Sequence, residues 1–463
     1  MDRNARIAAG LAMAALLPML WGCSSLADAS SAAEPLTSAG ISAETAPTQA
    51  SAAATETAAD TTVAVGTTAG KTTSARTAAA TTAADRKEGW DMTAYDLDRY
   101  TAPFWQGSTV FHETVSFIED EDGMICAGAL LYRPDKILSV RSSDLQTEYE
   151  EGRDYTVVGK RLVLAAGSRI RPLAFADYSP EYVPGAAEDW LVSASDPSRY
   201  IAVTDRILQA QVAVSYTHTD AWTGQVPAVQ IDRLPMTKKK LKKKETLTAV
   251  FFGDSITAGW EASGADETCI DKDTNRPFRL RISRAPYMPT WSQMVCDRLQ
   301  EKAGLPDLIR INRGAGGAET TWGVRSAKEL ICPEEPDLVF IAFGMNQTGC
   351  DGTTFKKDIL SVIRTVRQSS PKAEFVLISC MMPNTDARAF AGHRLSEQEQ
   401  ALYALQSELT DVGIAVAPVY SMTKALLAAE KQYGDLSGNN LNHPNDMTIR
   451  LYAQTILATL GVV

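Results

Sequence analysis

Ser255 stands behind Gly253 and Asp254 at the end of the apolar run in FFGDSIT (251–257). A serine hydroxyl is a poor nucleophile at neutral pH. Acyl chemistry at this position requires a base to take its proton, donors to hold an oxyanion, and a group to orient the base. A lone G-D-S would be only a turn serine or a helix cap. The chain has four histidines to supply the base. His112 and His218 lie in a strand-rich region, His393 in a loop after a strand pattern, and His443 in NNLNHPND (439–446). Amide groups occur in two further clusters: Gly314, Gly316 and Gly317 within NRGAGGAET (312–320), and Asn346 within GMNQ (344–347).

The surrounding pattern would bring these residues to one rim. Apolar runs at 247–252, 308–312, 337–344, 374–379 and 413–419 read as buried strands. Between them, 291–302, 354–369 and 396–410 carry apolar residues three and four apart, the period of helices. Strand–helix alternation predicts a parallel sheet covered on both faces, with ligands beyond the carboxyl ends of its strands. Ser255, Asn312 and Asn346 each fall at or just after the end of a predicted strand. Residues from about Trp90 to Leu234 read differently, as short alternating strands at 108–118, 155–165, 211–219 and 226–234. Gly159-Lys160 sits in the second of these as a two-residue hairpin turn, and the spacing predicts a β-sandwich.

GDSIT, NRGAGGAET, GMNQ and NNLNHPND, in that order and after suitable elements, resemble the four blocks of the SGNH, or GDSL-like, hydrolases. The resemblance covers the second half of the chain. It implies a three-layer α/β/α, flavodoxin-like domain on a parallel five-stranded sheet, preceded by an all-β, jelly-roll-like sandwich similar to the accessory domain of two-domain carbohydrate acetyl esterases. It further implies Ser255 as nucleophile, His443 as base, and an oxyanion hole built from the N–H of Ser255, the N–H of Gly317 and the side-chain amide of Asn346. Gly314 and Gly316 stay open as alternative spacings for the glycine.

The sequence departs from the family's pattern where it matters for the base. The family commonly places Asp three residues before the histidine, and Asn440 stands there. In a serine protease the corresponding Asp-to-Asn change costs about 10⁴ in turnover through the wrong imidazole tautomer. Either Asn440 presents its carbonyl oxygen to His443, or a backbone carbonyl or a carboxylate such as Asp435 orients a Ser–His dyad. A chain that has lost turnover, a glycan- or wall-binding protein on this fold, is the reading from another class. SMTK (421–424) fits the S-x-x-K of penicillin-binding enzymes, but SGN (437–439) lies too close and no K-T-G follows.

The amino terminus, MDRNARIAAGLAMAALLPMLWGC, places two arginines before an apolar stretch too short to span a bilayer, the pattern of an export signal. LWGC resembles the lipobox of bacterial lipoproteins, which implies a lipidated Cys23 and a membrane-anchored, extracytoplasmic or secreted protein. The expected organisation is a signal segment with lipidated cysteine (1–23), a disordered Ala/Thr/Ser-rich linker (24–87), the β-sandwich (88–237), a basic linker (238–245) and the hydrolase domain (246–463). A net charge of −11 argues against nucleic-acid binding. No C-x-x-C pair or metal spacing occurs, so neither cofactor nor metal is expected, and disulfides stay open. The polar, aromatic-dotted segment 267–291 is expected as a loop on the substrate side. There Trp291 and Tyr287, with Trp260 just upstream, would stack on sugar rings of an acetylated carbohydrate, the substrate the resemblance implies.

Overall fold

The computed structural model describes residues 96–184 and 189–462. The expected signal segment, Cys23 and the Ala/Thr/Ser-rich linker fall outside these residues. The described residues cluster as one compact unit.

Its amino-terminal part is β-rich, as expected, and its strands pair antiparallel. Strands β1 (Thr109–Glu119), β2 (Ile125–Ala127), β3 (Lys136–Ser142), β4 (Glu148–Tyr149) and β7 (Gln211–Thr217) form a five-stranded sheet in the order β2-β1-β7-β3-β4. β5 (Tyr155–Val158) and β6 (Arg161–Leu164) form a separate hairpin, closed by Gly159 at φ 63°. Segment 226–234, expected as a strand, is instead irregular and ends in a 3-10 turn at Ile231–Arg233.

The basic run expected as a linker is largely a helix, α1 (Pro235–Lys243). Pro235 suits the first helical turn, and the Glu374 carboxylate accepts the N–H groups of Met236 and Thr237 at 2.8 and 2.7 Å. Lysines gathered toward the helix C-terminus complement its dipole, and Lys240 pairs with Asp337 at 2.6 Å. The capping acid is remote in sequence, which hides the helix from local pattern.

The carboxyl-terminal part holds the parallel sheet of β8 (Leu247–Gly253), β11 (Leu308–Gly314), β12 (Leu338–Ala342), β13 (Glu374–Ile378) and β14 (Ile414–Ala417), in the order β11-β8-β12-β13-β14. Numbered from its own first strand this order is 2-1-3-4-5, the flavodoxin-like order. Alternate residues of each central strand enter opposite cores. Ala249, Phe251, Phe340 and Val376 pack with helices α3 (Trp291–Ala303) and α8 (Asp446–Leu460). Val250, Phe252, Ile341 and Leu377 pack with α4 (Thr320–Leu330), α5 (Gly352–Ser369) and α6 (Leu395–Glu408). This period of two, with both faces buried, explains the unbroken apolar runs in the sequence.

The two parts share a core. Val115, Phe117, Val214 and Tyr216 of the antiparallel sheet pack with Met422 and Leu426 of α7 (Val419–Ala428) and with Met447 and Leu451 of α8. Beside it, fully buried Lys431 donates to Glu113 at 2.9 Å and to the carbonyl oxygens of Thr114 and Ala129, and faces Asp435 at 3.3 Å.

Candidate active site

β8 ends at Gly253, where an added Cβ would lie 2.1 Å from the Ala342 carbonyl oxygen, so only glycine lets β8 and β12 meet this closely. The chain then turns into a single helical turn, α2 (Ser255–Ala258), capped by Asp254 Oδ1, which accepts the Ile256 N–H at 3.0 Å. Ser255 is thus the first residue of a helix, where backbone N–H groups lack intrahelical partners. Its position between the ends of β8 and β12 is the point where the strand order reverses, the usual ligand site of such sheets.

His443 reaches this point from the loop before α8. Asn439 Oδ1 accepts the N–H groups of Leu441, Asn442 and His443, each at 3.0 Å. The His443 carbonyl accepts from Gly438 N at 2.9 Å and Ser437 Oγ at 3.1 Å, and Asn445 caps α8 through Thr448 N. The loop so fixed places His443 Nε2 2.9 Å from Ser255 Oγ. The other histidines are engaged elsewhere. His112 bonds the Tyr100 hydroxyl, His218 stacks on Tyr132, and His393 lies against Tyr420.

The glycine block divides by task. An added Cβ on Gly314 would meet Ala258 N at 2.2 Å, and its N–H is taken by Asn312 Oδ1, so Gly314 serves packing and is removed as an oxyanion donor. The N–H groups of Gly316 and Gly317 have no partner among the described residues. Gly317 sits at φ 69° with the Lys272 side chain alongside, and Gly316 faces Trp260 Nε1. Asn346, in the short turn after β12, donates Nδ2 to the Ala318 carbonyl at 3.0 Å, which ties it to the same loop and leaves its second amide hydrogen available. Gln347 is structural: its Oε1 accepts the Thr320 N–H at the start of α4.

Asn440 does not orient His443. Its Nδ2 donates to the Ala202 carbonyl at 3.1 Å, and its buried Oδ1 has no hydrogen-bond partner among the described residues. Asp435 is equally removed, bonded to Ser116 and paired with Lys431. The carboxylate that does face the ring is Glu261, with Oε1 3.9 Å from His443 Nδ1. Glu261 has φ 70°, rare for a residue with a Cβ, and packs against Gly438, where an added Cβ would come within 3.0 Å. Arg284 donates to the Glu261 carbonyl at 2.6 Å and to Oε2 at 3.2 Å. Burial alone pushes this carboxyl up, but His443 and then Arg284 outweigh burial and hold it below the ordinary glutamate value. Nothing in the residue types around Glu261 marks it in sequence; its position depends on the left-handed backbone and on a distant glycine.

The proposed aromatic contacts separate. Trp260 lies over His443, ring centroids 6.4 Å apart and 21° from parallel. Tyr287 is exposed on the loop that carries Arg284. Trp291 is 1% exposed, donates to the Ile256 carbonyl and packs on Phe251 and Tyr452, so it supports the Ser255 turn from the core and cannot stack on a sugar. Segment 267–291, expected as a loop, contains a hairpin of β9 (Asp266–Ile270) and β10 (Pro277–Arg281), bridged to the glycine block through Ile270 and Ala315. The six cysteines of the described residues are all free, and these residues hold no cluster fit for a metal ion.

Residues 251–448 match the model of the GDSL-like Lipase/Acylhydrolase family. No curated protein matches the chain. Among solved structures it is similar to a two-domain esterase active on acetylated mannans, at 21% identity and a TM-score of 0.36 over 50% of this chain and 52% of that one. The match thus spans about half the length of that esterase. It is also similar to a lipase/acylhydrolase from Enterococcus faecalis (20% identity, TM-score 0.33, 46% of this chain and 93% of that one). A third likeness is to an acetylxylan esterase from Geobacillus stearothermophilus (15% identity, TM-score 0.34, 47% and 95%). With the four blocks on one rim of a parallel sheet and the family model spanning them, residues 251–448 are a GDSL-like lipase/acylhydrolase domain.

Proposed function

We propose that the chain is a serine esterase that removes short acyl groups, O-acetyl foremost, from carbohydrate. The observation that carries this reading is the 2.9 Å contact between Ser255 Oγ and His443 Nε2. Ser255 Oγ attacks the ester carbon as His443 Nε2 takes its proton. The oxyanion is received by the N–H of Ser255, a glycine N–H at 316 or 317, and Asn346 Nδ2. Collapse expels the sugar alcohol, which takes the proton back from His443 and leaves an acyl-serine. Water, deprotonated by the same ring, then releases the acid.

A small acyl group on a polar alcohol suits the surroundings of Ser255. The hairpin beside the glycine block carries Lys272, Arg276, Arg279 and Arg281, and its exposed large apolar side chain is the single Phe278. Trp260 offers an aromatic face beside the base. Purified protein is expected to release p-nitrophenol from the acetyl ester, Ser255→Ala is not, and acetylated xylan is expected to be preferred over acyl chains of C8 and longer. Preference for the long chains would remove the carbohydrate assignment, and release that survives Ser255→Ala would remove the mechanism. We also propose export and lipidation at Cys23. Incorporation of a labelled fatty acid that is lost in Cys23→Ala tests it.

A further inference from the structure

We infer that Glu261, six residues after the nucleophile, is the positioning acid for His443 and replaces the aspartate missing at position 440. This rests on the Ser255–His443 reading above and assigns it a third member. For Nε2 to accept the serine proton, the neutral ring must carry its own hydrogen on Nδ1, and that hydrogen needs an acceptor. Asn440 does not supply it: its Nδ2 is turned to the Ala202 carbonyl, and its Oδ1 makes no hydrogen bond to the ring. Glu261 Oε1 lies 3.9 Å from Nδ1, with side chains 10% and 17% exposed for Glu261 and His443. That is ion-pair range and longer than a hydrogen bond; catalytic hydrogen bonds are often long without substrate and tighten in its presence.

Three further features belong to a carboxylate held for a purpose. Glu261 occupies a left-handed backbone conformation that is costly for a residue with a Cβ, and such conformations cluster at functional sites. Gly438, in the loop that carries His443, has no side chain to keep the two apart. Arg284 grips both the carbonyl and the carboxylate of Glu261, which fixes the side chain and keeps it ionised. The remaining charged groups facing this corner are Asp254, which senses the charge of His443, and Asp446, which accepts from Ser263 N and senses Arg284. Neither bonds the ring.

Two readouts test the assignment. In Glu261→Gln, kcat per titrated active site is expected to fall about 10²- to 10⁴-fold, by analogy with loss of the acid in serine proteases, with KM nearly unchanged. Independently of turnover, ¹⁵N shifts of the His443 ring are expected to show hydrogen on Nδ1 in the wild type and a mixture of tautomers in Glu261→Gln. Wild-type kcat, or an unchanged tautomer, in that variant would overturn the assignment. If Glu261→Gln gives no folded protein, the same two readouts pass to Glu261→Asp, whose shorter side chain draws the carboxylate away from Nδ1; an unchanged ring with wild-type kcat there overturns it equally. A wild type without Ser255-dependent turnover would end the esterase reading, while the ring nitrogens would still decide the role of Glu261.

Discussion

Asp254 should make the protein lose stability as pH rises from about 4 to about 6. It is 1% exposed, Oδ1 caps the Ser255 turn through Ile256 N, and Oδ2 has no hydrogen-bond partner among the described residues. Burial, partly opposed by that bond and by the His443 charge, pushes its carboxyl up from 3.8 to about 6. Between these values the native chain holds a proton that the unfolded chain has released. The stabilisation is therefore complete below the unfolded value and is lost as pH rises through the folded one. A difference of roughly two pH units at 1.36 kcal/mol each gives about 3 kcal/mol lost by pH 7, as an order of magnitude. Asp254→Asn keeps the Oδ1 cap and removes the ionisation. Any hydrogen bond its amide gains or loses shifts the stability by the same amount at every pH. The slopes, not the absolute stabilities, are then diagnostic. Urea unfolding of both proteins, followed by tryptophan fluorescence across this range, should show the variant gaining on the wild type by about 3 kcal/mol between pH 4 and pH 7. Parallel curves would refute the burial argument.

Asn346→Ala removes one of the proposed oxyanion donors and should lower kcat about 10²- to 10³-fold with little change in KM, measured on p-nitrophenyl acetate. Lys431→Met leaves Glu113 and Asp435 buried with like charge at the junction of the two parts, and should cost about 3–5 kcal/mol in denaturant unfolding; a loss under about 1 kcal/mol would mean the cluster contributes little.

The sheet was legible because each strand alternates between two buried faces, so its apolar runs are continuous and end at the rim that holds the candidate site. That pattern brings Ser255 and Asn346 to the rim, whereas His443 was picked out by the resemblance of its block. Trp291 was misplaced because a segment with scattered aromatics looks exposed; Thr290 in fact caps α3 there and turns the indole into the core. The helix at 235–243 was hidden because its cap, Glu374, comes from another strand. Asn440 looked like an orienting group by position, yet its left-handed backbone, φ 65°, accompanies a side chain turned toward Ala202. Glu261 was illegible for the converse reason: an ordinary acid in a loop acquires its place only from backbone conformation, Gly438 and Arg284.

The central claim is that Ser255 becomes nucleophilic through His443. Reaction of the full chain with a fluorophosphonate, followed by peptide mass spectrometry, tests it most directly. A single adduct on Ser255, formed at least about 10³-fold more slowly in His443→Ala, is the expected result. Absence of that adduct, or labelling at an unchanged rate without His443, would contradict it.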